Sequence, residues 1–449
     1  MTLVSERRTT PRRTGRPRRA PHPLRAEVVH GFAPWAGAAV FLTLGVLLAG
    51  SAEQWQGGWA ETRSRLHEGM LIVLPLASAA GCWQGGRERR RRTEELWGTV
   101  SRGPLARFVV AALPVALWTA AGYGAAAAGA LLATWPYATG DRPYFDLLPA
   151  DMAAAAAAAV AGQVVGRVVA SRLATPLLAL AGYVVLGMAS TVREGSGRLL
   201  NPAFPVRTDT VPVAWQPAAV ALWTAGLTAA VVLAHTARRR YTALLPLAAA
   251  TAAGALLVQA GDGAWRTNPA GSRQVCDTST SPQICVNARY EKLLPQVTAA
   301  LSGITGRLEG VRNVPVRFED RQGRPGRDEA ELPMLMPLGW SVVRGRLTDP
   351  GQYAWEAVQA LQDRMDCGAM DARVHTADDA VTHYLAPSPM EKTFDEHDAA
   401  GDEAQRAELR RRLAARARLT AMDEDERRAW LSAYFATAGD CDARGVPAL

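Results

Sequence analysis

Three histidines, His375, His383 and His397, fall in one stretch of the chain with Asp378, Asp379, Asp395 and Glu396 around them. Imidazole and carboxylate are the ligands of hydrolytic metal sites, so metal chemistry would have to be sought here. The spacing does not provide it: no His-Glu-x-x-His occurs, and no two of these histidines stand four residues apart to share a helical turn. Solvated surface side chains account for them better. Ser388, in LAPSPM, lacks the glycine-flanked elbow that exposes a hydrolase nucleophile. The two lysines, Lys292 and Lys392, each follow a glutamate and not the glycine-rich turn that cradles phosphates. The sequence therefore predicts no catalytic set, no metal and no cofactor, and the chain is read as not an enzyme.

A second group of residues suits recognition. RERRRRTEELWGTV runs from Arg87 to Val100 and sits between two long apolar segments. Thr93 can cap a short helix, Glu94 and Glu95 fall in its first turn where the helix dipole favours acids, and Leu96, Trp97 and Val100 form an apolar face. Arg102 follows, and Gly103 with Pro104 ends the turn. Such a helix can dock a second protein, or it can be an interfacial loop that Trp97 anchors in lipid.

The elements around these residues divide sharply. Up to Ala260 there are 26 basic and 13 acidic residues, every base an arginine; beyond it there are 24 and 29. Seven apolar stretches occupy approximately 31–50, 69–85, 104–134, 150–170, 173–192, 217–236 and 241–260. Most reach the roughly 20 residues needed to cross a hydrocarbon core as helix, although the second is short. Gly162 and Gly166 place a GxxxG pair on the fourth. The spans present almost no ionisable group: Arg167, His67, Glu68 and His235 all stand near an end, within reach of an interface. No buried carboxylate or histidine path is expected.

Arginine sets the predicted orientation, because short positive loops stay inside. With the amino terminus in the cytoplasm, 20 arginines up to Arg240 lie on the inner side and six on the outer. Residues 1–30 then form a disordered basic cytoplasmic tail, drawn to anionic lipid and not to nucleic acid. That tail has no apolar core of its own, so it is not read as a cleavable signal. Residues 31–260 form the transmembrane region, and 261–449 an extracytoplasmic domain.

Cysteine use fits that topology. Cys276, Cys285, Cys367 and Cys441 all follow the last span, where an oxidising exterior allows two bridges. Three pairings are possible. The closeness of Cys276 and Cys285 in VCDTSTSPQICV favours that pair, leaving Cys367 to meet Cys441. Helices are predicted near 287–309, 352–366, 371–386, 402–420 and 424–438, a strand at NVPVRFED, and a loop over RQGRPGRDEAELPMLMPLG. The fold class is an all-α polytopic membrane protein of about seven transmembrane helices with a mostly helical α+β extracytoplasmic domain.

The phrase TEELWGTVSRGPLARFVVAALP resembles the permease subunits of type-2 ABC exporters, in which an acidic amphipathic coupling helix precedes the third span. CVNARYEKLLPQV and ERRAWLSAYFATAGDCD look like the extracytoplasmic tail of ABC-associated membrane proteins of high-GC bacteria. Such permeases commonly have six spans, and this chain departs from that pattern with seven. The resemblance implies a permease in a bacterial cell membrane, paired as a homodimer or with a related permease. A separate ATPase subunit would grip Glu94, Glu95, Leu96, Trp97, Val100 and Arg102. The competing expectation is a membrane-tethered sensor or ligand-binding protein whose spans are only an anchor.

Overall fold

The computed structural model describes residues 28–29, 31–91, 103–191, 195–321, 325–326, 328–335, 341–364, 367–368 and 370–449. Among them, seven helical segments are long and apolar enough to cross a membrane. They are α1 (Ala33–Gly50), the pair α2 (Trp59–Glu68) and α3 (Met70–Gly85), α4 (Pro104–Thr134), α5 (Leu148–Val168), α6 (Ala174–Thr191), α7 (Gln216–Thr236) and α8 (Leu244–Ala260).

The second span corrects the expectation of a short one. Gly69 keeps a helical backbone between α2 and α3, so the segment runs on from Met70 back to Trp59. Its first part, WAETRSRLHE, is too polar to register as an apolar stretch. It is nevertheless buried along most of its length, because other elements cover it on every side. Polar side chains in such a place must find partners in the protein.

Small residues set how closely the spans approach. A Cβ built on Gly81 or Gly162 would lie 1.8 or 1.9 Å from the carbonyl oxygen of Ala159 or Ser78 across the α3/α5 contact. Gly85 and Gly166 repeat that contact one turn along, against Gln163 and Cys82. The GxxxG pair of α5 thus faces a second one on α3, backbone against backbone.

After Ala260 the chain forms a mostly helical region with small sheets. A two-stranded ribbon pairs β1 (Thr210–Pro212) with β2 (Trp265–Thr267), tying the segment before α7 to the one after α8. VCDTSTSPQICV folds as an antiparallel hairpin of β3 (Gln274–Asp277) and β4 (Gln283–Asn287), with Cys276 directly opposite Cys285. Parallel pairing then adds β5 (Arg317–Glu319) and β6 (Glu329–Glu331). β5 lies within the expected strand, whereas β6 falls in the stretch expected to be loop.

The helices are α9 (Leu294–Arg307), α10 (Pro350–Gln362), α11 (Ala372–Leu385), α12 (Glu391–Ala400), α13 (Glu403–Ala421) and α14 (Glu424–Phe435). Asp349, Asp371, Asp402 and Asp423 cap four of them, each accepting a hydrogen bond from a first-turn backbone N–H. Their apolar faces meet the sheet around Ile284, Phe318, Leu301, Val358, Val381 and Leu419. α12 has no expected counterpart, because EKTFDEHDAA buries no apolar stripe of its own. Two disulfides, Cys276–Cys285 and Cys367–Cys441, close in this region, which points to an extracytoplasmic setting.

Candidate functional site

Three side chains of α2 reach three different parts of the molecule. Glu61 Oε1 accepts hydrogen bonds from Arg289 Nη2 at 2.5 Å and Tyr290 OH at 2.9 Å, both from the C-terminal region. Arg63 donates to Asp146 Oδ2 at 3.3 Å and to the carbonyls of Thr210 and Arg207 at 2.5 and 3.1 Å. His67 lies between Asp151 of α5, 2.9 Å from Nδ1, and the carbonyl of Phe204, 3.1 Å from Nε2. Tyr123 of α4 completes the group, donating to Asp151 Oδ2 at 2.7 Å.

These contacts overturn the expectation that the spans bury no carboxylate or histidine. Glu61, His67 and Asp151 are at most 7% exposed. They are held because each charge has a partner, without which burial would cost several kcal/mol. Burial disfavours the Arg289 charge, but the Glu61 carboxylate facing it prevails and holds the guanidinium above its ordinary range. Burial beside the same carboxylate pushes the Tyr290 phenol well up. Lys292 adds a further tie, donating from Nζ to the carbonyl of Ala138 at 2.8 Å.

At its other end α3 runs on into a short helix, Arg87–Arg90. There Arg167 of α5 meets Glu88 at 3.3 Å, and Arg89 donates to the Arg167 carbonyl at 2.9 Å. Arg90 stacks over the Trp83 ring, 3.9 Å from its centroid. The candidate coupling residues Glu94, Glu95, Leu96, Trp97, Val100 and Arg102 lie outside the described residues.

The histidine and aspartate stretch of the C-terminal region lines a cleft of about 480 Å³ between α10, α11, α12 and α13. Arginines occupy its carboxylates. Arg416 binds Asp379 twice at 2.7 Å and Asp395 at 2.6 Å, Arg412 pairs with Asp398, and Arg364 with Asp378. Burial works against the Arg416 charge, yet the hydrogen bonds it donates to Asp379 and Asp395 more than offset it and raise its pKa. His383 Nδ1 lies 2.9 Å from Glu391, and His375 stands at the cleft beside Glu408. Among the described residues no three His, Cys, Asp or Glu side chains gather as a metal-ligand set. The Ser388 hydroxyl accepts from Met390 N at 3.2 Å in a local turn. Trp355, Met370 and Phe394 add apolar surface, so the cleft could seat a small amphipathic molecule.

The α2 cluster was within reach of the sequence only in part. Glu61, Arg63 and His67 are spaced to lie along one short helix, but their partners come from residues 83 to 229 positions away in contacts that no local pattern encodes. Compared with known families, curated proteins and solved structures, the chain finds no match.

Proposed function

We propose that the chain is the transmembrane permease subunit of an ABC-type exporter, driven by a separate ATPase that docks on Glu94 to Arg102. One observation carries this reading: α2 and α3 form a nearly continuous helical segment from the C-terminal region to Arg87–Arg90, and TEELWGTV follows it in the sequence. One end is ion-paired through Glu61 to Arg289, and the other feeds directly into Arg87–Arg90. Because α3 lies backbone to backbone on α5, a push delivered at the loop would move the two helices together. The C-terminal region would follow through the ion pair.

In this reading the arginine-rich loops and the amino terminus face the cytoplasm, and the C-terminal region lies outside the cell. Two copies, or one copy with a related permease, enclose the pathway in the lipid bilayer. Purifying the tagged full-length chain from its own membrane tests the proposal. An ABC ATPase should come with it, and repeated recovery without one would refute the reading.

The cleft supports a second reading, a membrane-tethered protein that senses or binds a ligand outside the cell. Its volume falls within the range of small-molecule sites, roughly 300 to 1,000 Å³. A ligand that binds there equally well with and without any ATPase would favour this alternative.

A further inference from the structure

We propose that His67 and Asp151 form a proton-binding site at the end of the bundle nearest the C-terminal region, and that its proton ties α2, α4 and α5 to the segment Asn201–Phe204. The inference does not depend on the permease reading. It starts from the ring of His67, whose two nitrogens both face oxygen: Asp151 Oδ1 at 2.9 Å and the Phe204 carbonyl at 3.1 Å. A carbonyl only accepts, so Nε2 carries a hydrogen. Tyr123 OH donates to Asp151 Oδ2 at 2.7 Å, which suits an ionised carboxylate, and the remaining Oδ1 then requires a hydrogen on Nδ1 as well. The geometry assigns an imidazolium between a carboxylate and a carbonyl.

Among the described residues, the neighbouring cation of α2 does not take its place. Arg63, one turn earlier on α2, is committed to Asp146 and to the carbonyls of Arg207 and Thr210. Glu68 is held by Arg65 and Ser64, and Glu61 by Arg289 and Tyr290. From α7 the nearest polar group is Gln216, which is uncharged. Deprotonation of the ring would leave its Nδ1 lone pair against the Asp151 carboxylate, with both side chains nearly out of reach of solvent.

The site also has a place for the proton to arrive. A cavity of about 20 Å³ lies against His67, Asp151, Asn201, Phe204, Gln216 and Trp265. That is enough for about one water and too little for an organic cargo. Gln216 Oε1 is buried and finds no hydrogen-bond partner among the described residues, so it offers a water one of its anchors. The chemistry fits a single hydrated proton.

The test uses the full-length chain in lipid nanodiscs with ¹⁵N-labelled histidine. The His67 signal is identified among those of the seven histidines by its loss in His67→Gln. Both ring nitrogens of His67 should be protonated at neutral pH, and Asp151→Asn should weaken proton binding at least about tenfold. Hydrogen exchange across Asn201–Phe204 should rise as the proton is lost. A wild-type ring that carries one proton at neutral pH overturns the proposal, as does an Asp151→Asn ring that titrates like the wild type. If Asp151→Asn does not fold, the wild-type titration and its exchange profile decide the matter alone.

Discussion

Glu61 and Arg289 stand 228 residues apart in sequence and meet at 2.5 Å, both side chains almost fully buried. This pair joins the second span to the C-terminal region. Removing one partner strands a buried charge, and such losses typically cost about 3 to 5 kcal/mol, whereas replacing both with apolar groups can be nearly neutral. Glu61→Leu and Arg289→Met should each lower the denaturation midpoint of the full-length protein strongly, and the double variant should recover much of the loss. Additive losses in the double variant would show that the two side chains do not act as a pair.

The α3/α5 contact makes a prediction with an internal control. Gly162→Leu or Gly81→Leu drives a side chain into a facing carbonyl and should sharply reduce the yield of folded protein. Gly45→Leu and Gly129→Leu, where an added Cβ meets nothing within 4 Å, should be tolerated. Size-exclusion profiles of detergent-extracted protein distinguish the two sets.

The two disulfides should contribute unequally. In the loop-entropy description, the Cys367–Cys441 bridge, spanning 74 residues, contributes about 4 kcal/mol, and Cys276–Cys285, spanning nine, roughly 2.5. Denaturant titration of Cys367→Ser/Cys441→Ser and of Cys276→Ser/Cys285→Ser should rank them in that order. Peptide mapping without reductant should recover both linked pairs.

Asp320 gives the C-terminal region a pH dependence. Burial pushes its carboxyl up to about 6, against the opposing hydrogen bond from Asn287 N and the charge of Arg289. The folded state therefore holds this proton more tightly than the unfolded chain does. The contribution is fully present below the unfolded value and lost as pH rises through about 6. Asp320→Asn, which keeps an acceptor for Asn287 N, should match the wild type in acid and exceed it near neutral pH by on the order of 2 to 3 kcal/mol. Equal stability of the two proteins across that range would contradict the assignment.

Much of the architecture was legible because it is local. The spans follow from apolar length, and α10, α11, α13 and α14 from the helix-period runs near 352–366, 371–386, 402–420 and 424–438. α2 and α12 were not legible, since neither carries the apolar pattern that announces a buried helix. One is covered by distant segments, and the other is held by Arg412 and Arg416, whose partners Asp395 and Asp398 lie on it. β6 was hidden in a proline- and glycine-rich run, where only pairing with Arg317–Glu319 makes a strand. The buried His67–Asp151 contact was missed for a related reason. Asp151 opens an alanine-rich span and looks like an interfacial residue until α2 is laid against it.

The central claim is that the stretch after Arg92 docks an ATPase. It is tested most directly by recovering that ATPase with the full-length chain and with two variants, Trp97→Ala and Glu94→Arg/Glu95→Arg. Truncating an interface anchor commonly costs about 2 kcal/mol or more of association energy, and reversing the charges of Glu94 and Glu95 would disturb docking electrostatically. Recovery should fall steeply for both variants, with protein level and arginine-set topology unchanged. Wild-type recovery with both would contradict the account and leave RERRRRTEELWGTV as a topology signal alone.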